Sequence, residues 1–467
     1  MTEPEVLYER WSGHRPESVT AIANSGSNRA YYRLTGVGGS VIGVKGECLD
    51  ENRAFLYLAE WFRSKGIRTP RILAVSDDSL SYLTEDFGDT SLFGLLASDR
   101  ERAMELARAT LRELPRIQFE GAKGLDFGRC YPVPALDGRG VMWDLNYFKY
   151  DFLKPSGAPF DEAGLEDDFE RLRDTLLRPG WSAFMYRDFQ SRNIMIQDGQ
   201  PCFIDFQGGR EGPCLYDAAS FIYQARAGFS PAEQADLEDV YYQALQPYLP
   251  CRREAYDEAL APVILFRMLQ TLGAYGLRGL VEHKAHFTRS VPTAIRQLKR
   301  FTESRSVLQA YPALRDALNA MSERFPQPDP DDARLTIDVF SFSYMKGLPV
   351  DYSGNGGGYV FDCRAIHNPG KYDEYKSLTG LDAPVREFLE KDGEILTFLQ
   401  HAKALADASA ARYARRGFTH LQFGFGCTGG RHRSVYGAQH LAEYLAAQGY
   451  RVRLTHREQH IQRIFNA

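Results

Sequence analysis

The most regular alternation of apolar and polar segments lies near the middle of the chain. Residues 194–196 and 202–204 are apolar, and the polar stretch 197–201 between them contains Gly and Pro. Short apolar runs joined by such a turn are typical of a β-hairpin. The pattern therefore predicts a hairpin that brings Asn193, which precedes its first strand, next to Asp205, which follows its second.

The first hundred residues read as a small sheet with one helix. Residues 23–34 have the pattern of a strand, a small polar turn and a second strand, and residues 41–45 form a strand that ends at Lys45. Residues 51–58 begin a helix, and residues 81–89 read as a further strand and the segment that leaves it.

Near the C-terminus the predicted order is strand, glycine turn, helix. Apolar residues 421–425 lead into a glycine-rich turn, and helical spacing runs from 435 to 448. Backbone N–H groups at a helix N-terminus bind anions, and Arg431, His432 and Arg433 add cationic or titratable side chains. We therefore predict an anion site in this turn.

A stiff polar stretch, 326–333, separates two regions of opposite charge. It is rich in Pro and Asp and lacks hydrophobic periodicity, as extended spacers do. Residues 334–467 carry 17 Lys and Arg against 13 Asp and Glu and hold seven of the ten histidines, whereas residues 1–333 carry 39 basic against 48 acidic residues. A basic, His-rich domain behind an acidic one predicts an anionic ligand, either a phosphate ester or a nucleic acid.

The middle of the chain also holds oxygen-bearing side chains suited to phosphoryl transfer. That reaction needs an acceptor hydroxyl held by a base and Mg²⁺ that bridges the nucleotide phosphates. Asp188 can take the proton of an attacking hydroxyl, and Asn193 and Asp205 offer the hard oxygen ligands that Mg²⁺ prefers. These residues predict a catalytic base and a metal site for a nucleotide-dependent reaction.

The segments 186–193 and Asp205-Phe206-Gln207 resemble the aminoglycoside phosphotransferase family. The resemblance implies an α+β protein-kinase-like bilobal fold over about residues 1–325, with a kinase N-lobe at 1–88 and a C-lobe at 89–325. It also implies ATP and Mg²⁺ as cofactors, with the base and the metal ligands named above.

The same resemblance assigns nucleotide-binding residues to the N-lobe. Lys45 would pair with the phosphates and with a helix glutamate, Glu51, for which Glu60 is the second candidate. The small polar turn would approach the phosphates, and the exit of the strand at 81–85 would bind the adenine. The remaining predicted nucleotide-binding residues are Ser25, Gly26, Ser27, Glu85 and Phe87.

Within this family the motifs are most similar to the anomeric sugar kinases that phosphorylate N-acetylmuramate and N-acetylglucosamine, which implies a small-molecule sugar substrate. Arg187 stands where many relatives have His, and Asp217 is expected to brace the loop rather than to catalyse. Residues 143–148 and Glu211 are candidates for the substrate side.

Within the domain predicted at 334–467, the stretch from Ile337 to about Glu458 resembles the C-terminal domain of the RapZ family of RNase adapter proteins in several ordered blocks, among them 341–344, 360–364 and 426–435. The resemblance implies a smaller α/β domain that binds an amino-sugar phosphate, with RNA as a further candidate partner. The residues that it assigns to the phosphosugar site are Thr428, Gly429, Gly430, His432, Arg433, Lys346 and Lys376.

Three functions stay open at this point. The first is an ATP-dependent sugar kinase with a phosphosugar-binding domain, and the second is a RapZ-like regulatory or RNA-binding adapter on an inactive kinase scaffold. The third is a kinase joined to a phosphatase that uses Cys427, since Cys427-x₂-Gly430-x₂-Arg433 has the spacing of a cysteine phosphatase loop.

The remaining features predict a cytoplasmic protein that has no membrane partner. The first residues lack a signal-peptide pattern, no apolar run reaches the length of a membrane span, and the seven cysteines show no C-x-x-C pair. A homo-oligomer is compatible with the sequence.

Overall fold

The computed structural model of the chain describes residues 2–22, 29–36, 38–282, 284–288, 290–323, 325, 334–349, 351 and 358–465. The chain divides into two compact units. The first unit is Met1–Leu277 with Thr293–Arg324, and the second unit is Arg278–Pro292 with Phe325–Ala467. The predicted turn residues Ser25, Gly26 and Ser27 and the predicted linker 326–333 lie outside the described residues.

The first unit begins with two helices and five strands. They are α1 (Glu3–Ser12), β1 (Ser18–Ile22), β2 (Ala30–Gly36), β3 (Gly39–Lys45), α2 (Leu49–Ser64), β4 (Ile72–Val75) and β5 (Ser81–Glu85). The strands form one antiparallel sheet in the order β1-β2-β3-β5-β4. Leu7 and Tyr8 of α1 pack with Leu34, Val41 and Leu83 on one face of this sheet, which we call the α1 face.

The rest of the first unit is mainly helical. Its helices and strands are α3 (Leu92–Ser98), α4 (Arg100–Pro115), α5 (Gly138–Phe148), α6 (Lys154–Ser156), α7 (Glu162–Leu176), β6 (Ser182–Met185), β7 (Ile194–Gln197), β8 (Gln200–Phe203), β9 (Arg210–Pro213), α8 (Leu215–Ile222), α9 (Pro231–Leu245), α10 (Arg253–Tyr275), α12 (Val291–Ser304) and α13 (Pro312–Ser322), with α11 (Ala285–Thr288) in the segment assigned to the second unit. The predicted α+β bilobal fold is thereby confirmed.

Local signals define several of these elements. Helix α9 begins at Pro231 with a capping box, in which the Ser230 N–H donates to Glu233 Oε2 at 2.7 Å and the Glu233 N–H donates to Ser230 Oγ at 3.3 Å.

Among the described residues, one helical stretch, Arg253–Val281, is long and apolar enough to cross a membrane by length and composition. Of its apolar window, 67% is buried inside the protein, as in a core helix.

The second unit contains a mixed five-stranded sheet in the order β11-β12-β10-β13-β14, where only the edge strand β14 is antiparallel to its neighbour. Its elements are β10 (Thr336–Ser343), β11 (Gly358–Asp362), α14 (Ala383–Glu390), α15 (Glu394–Arg415), β12 (His420–Cys427), α16 (Arg433–Ala447), β13 (Arg451–His456) and β14 (Ile461–Phe465). Val339, Phe423, Phe425 and Leu454, which share one face of the sheet by their register, are fully buried. The predicted smaller α/β domain is confirmed.

Candidate functional site

The predicted hairpin is present and places Asn193 beside Asp205. Strands β7 and β8 pair antiparallel from Ile194 with Phe203 to Gln197 with Gln200. Asp198 and Gly199 form the two-residue turn with φ values of 54° and 72°, which suits the twist of a tight hairpin. The Ile204 N–H donates to the backbone oxygen of Asn193 at 3.1 Å, so the pairing continues to the residue before Asp205.

The Asn193 carboxamide joins the predicted catalytic and metal-binding segments. Its Nδ2 donates to the backbone oxygen of Asp188 at 2.8 Å and to Asp205 Oδ2 at 2.9 Å. Gln207 Nε2 donates to the other carboxylate oxygen of Asp205 at 2.9 Å. Burial and the nearby Asp188 carboxylate raise the pKa of Asp205. The Asn193 amide, one predicted metal ligand, therefore joins the other, Asp205, to the backbone of Asp188.

Asp205 has a backbone conformation that only a supported loop maintains. Its φ is 68°, in the left-handed region that costs energy for residues other than Gly. Two buried aromatic residues fix its flanks, because Tyr186 Oη donates to the Ile204 oxygen at 2.5 Å and Phe206 stacks on Phe55 of α2 with ring centres 5.1 Å apart. The carboxylate is thus set between the two lobes of the first unit.

A carboxylate and a carboxamide are a suitable donor set for a divalent cation. Mg²⁺ is commonly bound by one or two protein oxygen ligands together with substrate phosphates and water. Asn193 and Asp205 supply such ligands, and the positions of the two side chains fit the predicted metal-binding role.

Asp217 braces the loop 186–193 through hydrogen bonds to its backbone, as predicted. The Asp217 carboxylate is fully buried and accepts hydrogen bonds from the Tyr186 N–H at 2.8 Å, the Arg187 N–H at 2.9 Å and Gln118 Nε2 at 3.1 Å. Burial raises the pKa of Asp217 to about 7, and the three hydrogen bonds oppose this rise. These bonds fix the backbone immediately before Asp188.

The Arg187 side chain packs into the C-lobe. Its φ is 80°, and one of its guanidinium nitrogens donates to Asp144 Oδ2 of α5 at 2.7 Å. The guanidinium also lies 5.2 Å from the centre of the buried Tyr216 ring. The residue that replaces the usual His therefore connects the loop 186–193 with helix α5.

The predicted ion pair between Lys45 and Glu51 is not formed. Lys45 Nζ lies 3.2 Å from Glu3 Oε1 on α1, whereas Glu51 Oε1 lies 3.3 Å from a guanidinium nitrogen of Arg29. Lys45 is also largely exposed, with 47% of its side-chain surface accessible. The position of Lys45 does not support the phosphate-binding role that we predicted for it.

The alternation of side chains along β3 explains why Lys45 lies away from Glu51. Successive side chains of a strand point to opposite faces, and residues paired across an antiparallel ladder share a face. Val44 pairs with Tyr82, whose ring stacks on Phe55 of α2 at 5.0 Å, so these residues define the α2 face of the sheet. Lys45 follows Val44 and points to the α1 face, as does Gly43, where a side chain would meet Pro4.

The predicted adenine segment leaves β5 with its side chains bonded to neighbouring elements. Glu85 Oε2 accepts from the guanidinium of Arg63 on α2 at 3.2 Å, and Phe87 is buried. The next residue, Asp86, accepts from Arg33 of β2 at 2.7 and 3.2 Å. Although burial opposes the charged form, the bonds from Arg33 and Ser40 lower the pKa of Asp86. An adenine contact from the backbone of this segment stays a prediction.

In the second unit, the loop 428–432 has its carbonyl groups bonded to the surrounding protein. Ser343 Oγ donates to the Thr428 oxygen at 2.6 Å, Gln459 Nε2 to the Gly430 oxygen at 3.0 Å, and the Gly380 N–H to the Arg431 oxygen at 3.0 Å. In the described part of the chain, the backbone N–H groups of residues 429–432 donate no hydrogen bond. Backbone N–H groups in such a loop form a concave anion site.

The predicted cationic ligands of this loop are engaged elsewhere. His432 is buried and its Nε2 lies 2.9 Å from the Tyr375 backbone oxygen, and burial lowers its pKa. Arg433 is buried and donates to the backbone oxygens of Arg364 and Ile366 at 2.9 and 2.8 Å. Both side chains therefore hold neighbouring segments in place.

The two predicted lysine ligands lie in ion pairs. Lys346 Nζ is 2.7 Å from Glu458 Oε2, and Lys376 Nζ is 2.5 Å from Asp373 Oδ1. Both lysines are mostly exposed, and their role in ligand binding stays a prediction.

Cys427 does not have the surroundings of a phosphatase nucleophile. Its side chain is 97% buried, since only 3% of the residue is accessible, and its Sγ lies 3.1 Å from Ser434 Oγ. The Arg433 guanidinium, which would have to bind the phosphate, donates to backbone carbonyls instead. The geometry therefore gives the phosphatase hypothesis no support.

Comparison with known families is decisive for the first unit. Residues 18–255, more than half of the chain, match the model of the phosphotransferase enzyme family. The chain belongs to this phosphotransferase family. Residues 335–460 match the RapZ C-terminal domain, so the second unit carries that domain behind the phosphotransferase.

Individual relatives cover parts of the phosphotransferase chain. A nucleotide-binding protein of Acidithiobacillus ferrooxidans is 42% identical over 124 residues, which are 27% of this chain and 40% of that protein. One from Rhodospirillum centenum is 41% identical over 127 residues, 27% of this chain and 37% of its own. The chain thus spans about two fifths of the length of the curated relatives that it matches.

Among solved structures, an amicoumacin kinase in complex with AMP-PNP, Ca²⁺ and its ligand aligns with a TM-score of 0.44 and 14% identity, over 62% of this chain and 89% of that one. A choline kinase from Cryptosporidium parvum aligns with a TM-score of 0.45 and 12% identity, over 65% and 93% of the two chains.

The substrate side of the phosphotransferase was only partly visible in the sequence. Within the candidate segment 143–148, Leu145 and Phe148 are fully buried core residues, whereas Trp143 is 61% exposed. Glu211 Oε1 accepts from Ser182 Oγ at 3.0 Å. Asp144, in the same candidate segment, forms an ion pair with Arg187 that links α5 to the loop 186–193.

Removal of the Asp217 brace tests the loop architecture of the phosphotransferase. Asp217→Ala leaves two buried backbone N–H groups without their acceptor, and we expect a loss of roughly 2–5 kcal/mol in unfolding free energy. Urea unfolding of the full chain measures this loss, and Asp217→Asn, which keeps one acceptor oxygen, should fall between Asp217→Ala and the wild type. An Asp217→Ala variant as stable as the wild type would show that these hydrogen bonds do not hold the loop.

Proposed function

We propose that the first unit transfers the terminal phosphoryl group of ATP, with Mg²⁺ as the divalent ion, to a hydroxyl group of an amino sugar of the N-acetylmuramate or N-acetylglucosamine type. The single observation that carries the reaction class is the Asn193 carboxamide, which joins the Asp188 backbone and the Asp205 carboxylate. The choice of an amino sugar is supported by the similarity of the motifs around Asp188 and Asp205 to those of the anomeric sugar kinases.

The residues have separate roles in this mechanism. The half-buried Asp188 carboxylate accepts the proton of the acceptor hydroxyl as its oxygen attacks phosphorus and the bond to the leaving ADP oxygen breaks. Asn193 and Asp205 would hold Mg²⁺, which when bound neutralises charge on the phosphates. Asp217 keeps the backbone before Asp188 fixed, so the base approaches the hydroxyl without reorganisation.

For the second unit we propose a binding site for an amino-sugar phosphate at the loop 428–432. The bonded carbonyl groups leave the backbone N–H groups of the loop for an anion, and the first turn of α16 adds the positive end of its dipole. The presence of a RapZ C-terminal domain supports a phosphosugar over other anions. Both units would then act on related sugars.

Two glycines of this loop offer a matched pair of variants. Gly430 has a φ of 65°, and a Cβ there would lie 2.5 Å from Glu458 Cγ and 2.8 Å from the Ser343 backbone nitrogen. Gly429 has open space at the same position. We expect Gly430→Ala to abolish binding of glucosamine 6-phosphate in calorimetry with the full chain, and Gly429→Ala to keep the wild-type melting temperature. Unchanged binding by Gly430→Ala would place the phosphosugar site elsewhere.

One observation favours a second candidate, a regulatory or RNA-binding adapter on an inactive kinase scaffold. Lys45, the expected phosphate-binding lysine, faces Glu3 on the α1 face. An assay of ATP consumption against N-acetylglucosamine, N-acetylmuramate and glucosamine separates the two candidates. The adapter predicts no turnover with any of these sugars and RNA binding that weakens steeply with salt.

A further inference from the structure

The α2 face of the N-lobe sheet carries a buried arginine, Arg29, whereas the expected lysine, Lys45, lies on the α1 face. Arg29 directly precedes β2, and its neighbour Ala30 pairs with Lys45 in the sheet. Because side chains alternate along a strand, Arg29 and Lys45 point to opposite faces. The Arg29 side chain is only 3% exposed, and its guanidinium lies 3.3 Å from Glu51 Oε1.

The surroundings of Arg29 are those of the predicted metal ligand. Its guanidinium carbon lies 5.9 Å from the centre of the Phe55 ring, and Phe206, the residue after Asp205, stacks on the same ring at 5.1 Å. The Arg29–Glu51 pair and the residue after Asp205 therefore meet at the Phe55 ring of α2.

We propose that Arg29, and not Lys45, is the cationic residue that binds the phosphates of the nucleotide, with Glu51 holding its guanidinium in position. This inference rests on the proposed kinase function and names the residue that completes its site. A guanidinium carries five N–H donors in a planar fork, so it can bond a carboxylate on one edge and phosphate oxygens on another. Removed from water, such a charge-assisted pair is stronger than it would be at the surface.

The test compares Arg29 with Lys45 in binding of AMP-PNP with Mg²⁺, measured by calorimetry on the full chain. We expect Arg29→Ala to weaken binding roughly 10- to 100-fold, as loss of a charge-assisted hydrogen bond does. Arg29→Lys should recover part of the affinity, because it restores the charge without the fork. Lys45→Ala should bind within about twofold of the wild type, because its partner Glu3 lies on the α1 face.

Melting temperatures separate binding from a merely structural role. If Arg29 only holds α2 against β2, Arg29→Ala will melt earlier while the folded protein keeps its affinity for AMP-PNP, and the proposal is overturned. Equal losses in Arg29→Ala and Lys45→Ala overturn it as well. Should Arg29→Ala fail to fold, Arg29→Lys decides, since wild-type affinity for AMP-PNP in Arg29→Lys would exclude a need for the fork and a reduced affinity supports it.

The test of Arg29 can fail or succeed independently of the proposed sugar kinase function. A wild-type chain that binds AMP-PNP but phosphorylates none of the sugars would end the sugar kinase proposal and still allow Arg29 and Lys45 to be compared. A wild-type chain that does not bind AMP-PNP would overturn both.

Discussion

Asp188→Asn is expected to lower kcat for sugar phosphorylation by about a thousandfold, the usual scale of losing a general base. The substitution keeps the size of the side chain but removes its ability to accept a proton. The backbone conformation of the loop 186–193 should be unchanged, because Asn193 donates to the backbone oxygen of Asp188 and not to its side chain. A coupled assay of ADP release measures the change.

The control for this prediction is nucleotide binding. Asp188→Asn should bind AMP-PNP with Mg²⁺ within about threefold of the wild type, since Asp188 is assigned to the acceptor and not to the nucleotide. A variant that keeps a tenth or more of the wild-type kcat would mean that Asp188 is not the base.

Asp205→Ala should reduce kcat/KM roughly 100- to 1000-fold, because it removes a ligand of the ion that neutralises charge on the transferred group. It also leaves the amides of Asn193 and Gln207 without the carboxylate that both now contact. Unlike Asp188→Asn, it should weaken Mg²⁺ binding and so raise the Mg²⁺ concentration at which the rate is half-maximal. A Mg²⁺ titration at fixed ATP measures this concentration.

Asp205→Asn is the matched control for shape. It keeps an oxygen that can accept a hydrogen bond but removes the charge, so a loss as large as that of Asp205→Ala would assign the effect to the charge. Full turnover of Asp205→Ala with Mg²⁺ present would show that the metal assignment is wrong.

The sequence was sufficient for the centre of the candidate site because its spacing is local. The hairpin that joins Asn193 to Asp205 follows from two short apolar runs and a turn of Asp198 and Gly199 that requires positive φ. The bracing role of Asp217 also followed from its place in a recognisable segment. The Arg187–Asp144 ion pair did not, because it joins residues 43 positions apart.

The face of the sheet that Lys45 takes could not be predicted, for a physical reason. A strand reveals its orientation when one face is polar and the other apolar, but this sheet is covered by α1 on one face and by α2 on the other. The residues before Lys45 are consequently apolar or small on both faces, and the sequence gives no sign of which face Lys45 takes. Helix α1, which supplies Glu3, was not among the predicted elements.

The second unit shows a similar limit. Residues 431–433, which lead into α16, were the basis for predicting an anion site in this loop, but two of their side chains, His432 and Arg433, bond backbone carbonyls of other segments. These carbonyls belong to turns that are distant in sequence, so their need for donors could not be anticipated. The backbone of the loop, and not the side chains of His432 and Arg433, is the candidate for anion binding.

The most direct test of the central claim is phosphorus-31 NMR of the full chain incubated with ATP, Mg²⁺ and one amino sugar at a time, beside the Asp188→Asn variant. We expect a new phosphate-ester signal for at least one of N-acetylmuramate, N-acetylglucosamine and glucosamine, with an equal amount of ADP, and loss of this signal in the variant. ATP that stays intact with all three sugars, or an equal ester signal from Asp188→Asn, would contradict the claim.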